Sequence, residues 1–401
     1  MKTRPGSKSR SKSRKGSLIK KRTAKETNKL AAVKTALPYA SFEVANFRCF
    51  DTFKIDSLNR INLITGVNNC GKTTLLEALF LHIGARNPTL SLIINGLRGL
   101  RVARESTENQ WTSLFGHFRD SHPIKFIGTS AKGSHRSLKI SIQPSSSALG
   151  GEKQFQQETD LISGARQIII FEFIDEEGKQ YKVTGTPVFV QRENVMTYEL
   201  RLEPPIPHAS MTGIFISGRH GGNLNEEIQR FSNLRKKEKD TILLDALKII
   251  EPRLEKIEIL NYQGASMLHG YLKGYDEPVP SPLLGDGVRR ALMVILAIGA
   301  ADNGVVLVDE IENGIHHSAM KSLWSVIAAA AKTFNCQFFA TTHSDECIRA
   351  GHDALKDSSS YELMLYRLDR INGSIQAVKY DEEALSAALS IPLEVRGWPA
   401  K

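Results

Sequence analysis

Residues 63–79 read LITGVNNCGKTTLLEAL. Apolar residues lead into a glycine turn, and apolar residues at helical spacing follow it. RINLIT (60–65) has the form of a short buried strand, and TTLLEALFLHI (73–83) that of a helix. Between them Gly66, Gly71, Lys72 and Thr73 satisfy GxxxxGK[ST]. Glycines let the backbone fold back so that successive N–H groups face a polyphosphate, and the helix N-terminus adds the positive end of its dipole. Gly66, Asn68, Asn69, Gly71, Lys72, Thr73 and Thr74 are therefore the expected nucleotide-binding set. Lys72 would reach the β- and γ-phosphates and Thr73 would hold Mg²⁺. The frame predicts an α/β protein that binds a nucleoside triphosphate.

Two further segments repeat the pattern of an apolar strand with a polar tip. NGVVLVDEIENGIHH (303–317) has the continuous apolar run of a central parallel strand, ending in two carboxylates. Charges at such a tip are costly without a cation. Asp309 is expected to orient the metal shell, and Glu310 to act as general base toward the attacking water. NCQFFATTHSDECI (335–348) follows one helix later, and places His343 at a strand tip as a candidate γ-phosphate sensor. A fourth piece, PLLGDGVRRALMVILAI (282–298), flanks Asp286 with Gly285 and Gly287 just ahead of an apolar helix. Asp286 is expected to cap that helix, whose bare N–H groups could meet an anion. Because the Lys72 loop already serves one set of phosphates, this second turn is expected to serve the nucleotide of a partner molecule.

The composition belongs to a soluble globular chain of 401 residues. Its longest apolar run, ALMVILAIGAA (291–301), falls short of the roughly 20 residues a membrane helix needs and reads as a core helix. With no hydrophobic signal segment and four cysteines lacking metal spacing, a reducing cytosol and no membrane association are expected. The net charge of +10 is local. Residues 1–36 hold 13 Lys/Arg and one Glu, leaving 40 basic and 42 acidic residues elsewhere. Rich in Ser, Lys and Arg, residues 1–37 are expected to form a disordered basic tail. Such a tail could hold DNA or RNA phosphates loosely through counterion release, or serve only as a solubilising leader.

Together these motifs resemble the ABC-type ATPases of the SMC, RecF and OLD branch, over about residues 40–400. ANFRCFDTFKIDSL (45–58) is similar to the opening hairpin of that family. Gly285, Asp286 and Gly287 match its signature position, which contacts ATP on the other protomer. Glu312, Asn313 and Gly314 match the turn that lines the dimer interface, and His343 the switch histidine. The resemblance implies ATP and Mg²⁺ as cofactors and a homodimer closed over two ATP molecules, with higher oligomers open. It also suggests Gln110, in ENQWTSLFGHF (108–118), as a metal-linking glutamine. YRLDRINGSIQAVKYDEEALSAALSIPLEVRG (366–397) matches the tail of small stand-alone prokaryotic members that accompany a nuclease or toxin effector in phage defence.

Between the two glycine turns, HRSLKISIQP, RQIIIFEFID, KQYKVTG and TYELRLEPP alternate as strands do, and residues 228–260 read as one or two helices and a strand. No heptad pattern supports a long coiled-coil arm. The expected architecture is one composite P-loop ABC-type α/β domain over 38–401 with a mixed sheet. Residues 38–87 and 280–401 would form the nucleotide core, and 88–279 a β-rich outer lobe with a helical insertion. The function implied is a slow ATPase, with the sensor subunit of an antiviral system as the leading role. A RecF-like DNA-repair or DNA-loading ATPase and a nucleotide-gated scaffold with little hydrolysis are the rivals.

Overall fold

The computed structural model describes residues 37–100, 111–144, 167–192, 195–205, 211–218, 223–358 and 360–390. The basic segment 1–36, Gln110 and the EVRG stretch (394–397) lie outside them. In chain order the first elements are β1 (Ser41–Phe47), β2 (Phe50–Ile55), β3 (Ile61–Gly66), α1 (Lys72–Ile83) and α2 (Leu90–Leu97). Strands β4 (Ile124–Thr129), β5 (His135–Pro144), β6 (Gln167–Ile174), β7 (Gln180–Arg192), β8 (Val195–Glu203) and β9 (Gly213–Ile216) follow. Next come α3 (Leu224–Lys236), α4 (Asp240–Ile250), β10 (Leu254–Tyr262), β11 (Ala265–Leu272), β12 (Val279–Pro280) and α5 (Asp286–Ala300). The chain continues through β13 (Val305–Val308), α6 (His317–Thr333), β14 (Gln337–Thr341) and α7 (Asp345–Leu355), then β15 (Leu363–Ile371), β16 (Ser374–Tyr380) and α8 (Glu382–Ser390).

The central sheet has the order β16-β15-β3-β14-β13-β9. Five of its strands run parallel, and β16 returns antiparallel along β15. Its inner strands β3, β13 and β14 are buried at every position because both faces are covered, and β13 is apolar throughout. Ile61, Leu63, Val306, Val308, Phe338 and Ala340 point into one core, shared with α5, α6 and α7. Their neighbours Ile64, Val305, Leu307 and Phe339 point into another, shared with α1 and a seven-stranded antiparallel sheet ordered β2-β1-β4-β5-β6-β7-β8. The period-two alternation of a strand thus feeds two hydrophobic layers at once. ALMVILAIGAA lies mostly within α5, whose interior positions are buried as expected.

The two-part division expected from sequence differs from the structure in two places. Strand β9, within 88–279, is the edge of the central sheet, running parallel to β13 from Val305↔Gly213 to Val308↔Ile216. Strands β1 and β2, within 38–87, belong to the outer sheet through the antiparallel pairing of β1 with β4. The physical reason is the same for both. Pairing partners far apart in sequence decide which sheet a strand joins, and the four residues GIFI of β9 carry no local mark of it.

Buried polar bonds fasten the layers. The Gln337 side chain accepts from Tyr39 N at 2.9 Å and donates to Tyr39 O at 2.8 Å and Asn59 O at 2.9 Å. The Tyr39 hydroxyl lies 2.7 Å from His82 Nδ1, and burial pushes the His82 pKa down to about 3, so that ring is neutral.

Candidate nucleotide site

The turn from β3 into α1 leaves no room for side chains at two of its glycines. Gly66 has φ 142, and a Cβ there would lie 2.5 Å from Leu368 O; at Gly71, φ 93, it would lie 2.8 Å from Phe50 Cζ. Lys72 opens the helix and is buried, with Nζ donating to Gly66 O at 2.8 Å and Val67 O at 2.9 Å. Burial pulls its pKa below the usual lysine value.

Beside this loop stand the tips of β13 and β14. Thr73 Oγ1 donates to Asp309 Oδ1 at 3.0 Å and lies 3.1 Å from Oδ2, while Thr341 Oγ1 donates to Oδ1 at 2.6 Å. Glu310 leaves the strand with φ 49, its N–H held by Thr341 Oγ1 at 2.8 Å and its Oε2 by Asn313 Nδ2 at 2.7 Å. A non-glycine residue at positive φ costs free energy, and is found where the surroundings over-determine it. His343 N donates to Glu312 Oε1 at 2.6 Å. Burial, then the nearby Lys72 charge, lower the His343 pKa and favour the neutral ring.

A cleft of about 830 Å³ opens above this floor. Asn68, Asn69, Gly71, Lys72, Thr73, Thr74, Glu310 and His343 all line it. Asp309 lines an adjoining cavity of about 310 Å³, which shares Thr73, Glu310 and Arg98 with the cleft.

The structure adds residues that the sequence did not single out. Glu77, 1% exposed on α1, binds Arg98 through Nε at 2.7 Å and Nη2 at 2.9 Å, and pairs with Arg48 Nε at 3.2 Å. Both guanidinium groups line the cleft, and Arg98 Nη2 also donates to Thr74 Oγ1 at 3.2 Å. Burial lowers the Arg48 pKa to about 10, which still leaves it charged at neutral pH. One carboxylate thus holds two cations beside the phosphate loop. The available signal was a lone Glu inside the apolar run TTLLEALF, since a carboxylate on a buried helix face needs a partner.

The Gly285 turn has a different character. Gly285, with φ 87, is itself the N-cap of α5, and Asp286 is the first helical residue with no capping bond, contrary to the capping role expected for it. The left-handed turn that starts the helix requires the glycine at the cap, which moves Asp286 into the first turn, where its charge still suits the helix dipole. None of Gly285, Asp286 and Gly287 lines the cleft of its own chain. They adjoin the turn after β13: a Cβ on Gly314 would lie 3.2 Å from Asp286 Cβ. Further along α5, Arg290 reaches the tip of β13, donating to Asp309 O at 2.8 Å, Glu310 O at 3.1 Å and Ser217 O at 3.3 Å.

A parallel sheet carrying a glycine loop that opens a helix, with Lys and Thr facing an Asp–Glu strand tip, defines a P-loop ATPase. The chain belongs to the family described as "AAA domain, putative AbiEii toxin, Type IV TA system", whose model matches residues 61–349. An ATP/GTP phosphatase of Helicobacter pylori is 24% identical over 330 residues, covering 77% of this chain and 86% of that protein. Among solved structures, an Smc head bound to the C-terminal winged-helix domain of ScpA has a TM-score of 0.46 at 10% identity, covering 86% of this chain and 98% of that one. The SMC head domain from Thermotoga maritima has a TM-score of 0.40 at 11% identity, covering 86% and 100%.

Proposed function

We propose that this ATPase works as a dimeric switch, closing over two nucleotides and opening after hydrolysis to hold or release a partner protein. The observation that carries the reading is the contrast between a fully assembled phosphate floor and an anion-ready helix start, Gly285–Gly287, that its own cleft does not use. Glu310 is the general base, steered by Asn313; Asp309 and Thr73 serve the metal; His343 reads the γ-phosphate; and Arg48 and Arg98 add positive charge. The donor set fits Mg²⁺, since a hydroxyl and a carboxylate oxygen 3.0 Å apart are hard ligands, and this ion normally takes few protein donors beside phosphate and water. Bound there, it would neutralise charge on the β- and γ-phosphates. The relative's name adds GTP as a second substrate.

The partner is a separate effector, a nuclease or toxin, and the setting is antiviral defence. The toxin–antitoxin wording of the family description and the resemblance to defence-associated ATPases support this role. All four cysteines are free thiols, and no helix among the described residues is long and apolar enough to cross a membrane; both fit a cytosolic location. The test is Glu310→Gln. It keeps nucleotide binding but removes the base, so hydrolysis should fall by roughly 10²-fold or more. Light scattering should then find an ATP-dependent dimer. Normal turnover in this variant would assign the base elsewhere.

A further inference from the structure

We propose that Phe118 is the stacking platform for the nucleobase, an inference that rests on reading the cleft as the nucleotide site. Lys72, Thr73, Glu310 and His343 account for the part of the cleft that polyphosphate chemistry needs. Beside them Arg48 and Arg98 add positive charge, and the rest of the wall includes Asp51 at the start of β2, the segment containing His117 and Phe118, and Arg370 at the end of β15 with Gly373 in the turn after it. Among the described residues, this wall is what a nucleoside attached to phosphates in the Lys72 loop would meet.

Phe118 is 73% exposed there, whereas the neighbouring Phe115 is buried. A single exposed apolar side chain is ordinary on a protein surface. What sets this one apart is how firmly it is presented. Trp111 is fully buried, with Nε1 donating to Ser91 Oγ at 3.2 Å. Phe115 bridges to Phe47 of β1, and Arg48 N donates to Leu114 O at 2.9 Å. Gly116 is pressed against Asn46, where a Cβ would lie 2.7 Å from Oδ1. His117 Nε2 pairs with Asp51 Oδ1 at 3.1 Å. Following these anchors, and closed by Phe118 N to Phe115 O at 3.1 Å and Arg119 N to Gly116 O at 3.0 Å, His117 and Phe118 adopt successive left-handed conformations, φ 51 and 59, which L-residues with bulky side chains rarely take. The chain thus holds a strained turn in place and offers an open aromatic face on the wall of the cleft.

Every base has a π-face, so stacking recognises a nucleobase without reading its edge. Both purine triphosphates should bind through Phe118, and a triphosphate lacking a base should bind without it. The probes are non-hydrolysable ATP and GTP analogues and inorganic tripolyphosphate, each with Mg²⁺, titrated calorimetrically into the full chain. Phe118→Ala should weaken both nucleotides by roughly 5- to 150-fold, the effect of losing one base–aromatic stack. Tripolyphosphate affinity should not change. Phe118→Trp should restore nucleotide affinity, and in turnover the alanine variant should raise KM with kcat preserved. Unchanged nucleotide affinity in Phe118→Ala, or an equal loss for tripolyphosphate, would overturn the proposal. If the wild-type chain bound neither nucleotide nor tripolyphosphate, the nucleotide reading of the cleft itself would fall instead. The exposure of the side chain makes misfolding of either variant a minor concern.

Discussion

The two glycine turns of this chain sit ahead of helices of similar kind, yet they are built on opposite terms. Around Gly66 and Gly71 the chain is so crowded that a Cβ would meet a backbone oxygen at 2.5 Å or an aromatic ring at 2.8 Å. Around Gly285 a Cβ would meet nothing within 4 Å, and around Gly287 only Gly314 O at 3.7 Å. The first pair of glycines is required by packing within the molecule. At Gly287, where packing asks for nothing, glycine costs helix stability without any return inside one protomer. The difference teaches that the phosphate-loop glycines are required by packing within the fold, whereas in the second turn Gly285 is required by its own backbone at φ 87 and Gly287 is required by neither packing nor backbone.

The comparison can be broken most severely at Lys72. Lys72→Ala removes the main counter-charge of a buried triphosphate and should abolish measurable ATP binding by calorimetry; affinity within a few-fold of wild type would undo the assignment of the first turn. Gly287→Arg should leave ATP binding intact yet cost hydrolysis roughly 10²-fold or more, the scale of losing a preorganised transition-state contact. Mixed with Lys72→Ala chains it should form dimers with one sound composite site, recovering up to about half of the wild-type rate per dimer if the two sites act independently. Wild-type turnover by the Gly287→Arg protein alone, or turnover by a proven monomer, would remove the case for a partner nucleotide. The smallest effects sharpen the contrast in stability. Gly66→Ala should lower stability by about 1–3 kcal/mol, through strain at positive φ and the clash with Leu368 O. Gly287→Ala should raise it by about 0.5–1 kcal/mol, read as an upward shift of Tm. Opposite signs at the two glycines are the expected signature.

What could be read from the sequence follows the same division between local and distant causes. The strand–loop–helix at Lys72 and the strand tips at Asp309 and His343 were legible because each is a continuous apolar run ending in polar residues, and the structure gathers Lys72, Thr73, Glu310 and His343 around one cleft. Glu77 was legible only as an anomaly, since its partners Arg48 and Arg98 come from the β1–β2 turn and the end of α2. Arg290 looked like one more polar residue on a core helix, and its three carbonyl acceptors lie 19 to 73 residues away in sequence. The capping role given to Asp286 failed by one residue, because a local pattern cannot show that Gly285 takes φ 87 and occupies the cap itself.

Arg290 ties these regions together mechanically. The same rigid helix that begins at Gly285 grips the carbonyls of Asp309 and Glu310 four to five residues further on. In a closed dimer, a nucleotide bound by one chain would press on that helix in the other, and the guanidinium would carry the displacement to the second chain's own base. The two pockets then could not fire as independent clocks. Occupancy of one would be reported to the other as a change in geometry, and a dimer with one filled pocket would turn over at less than half of the wild-type rate. Such coupling is reciprocal by thermodynamic necessity and would emerge as a Hill coefficient above one in the ATP dependence of turnover.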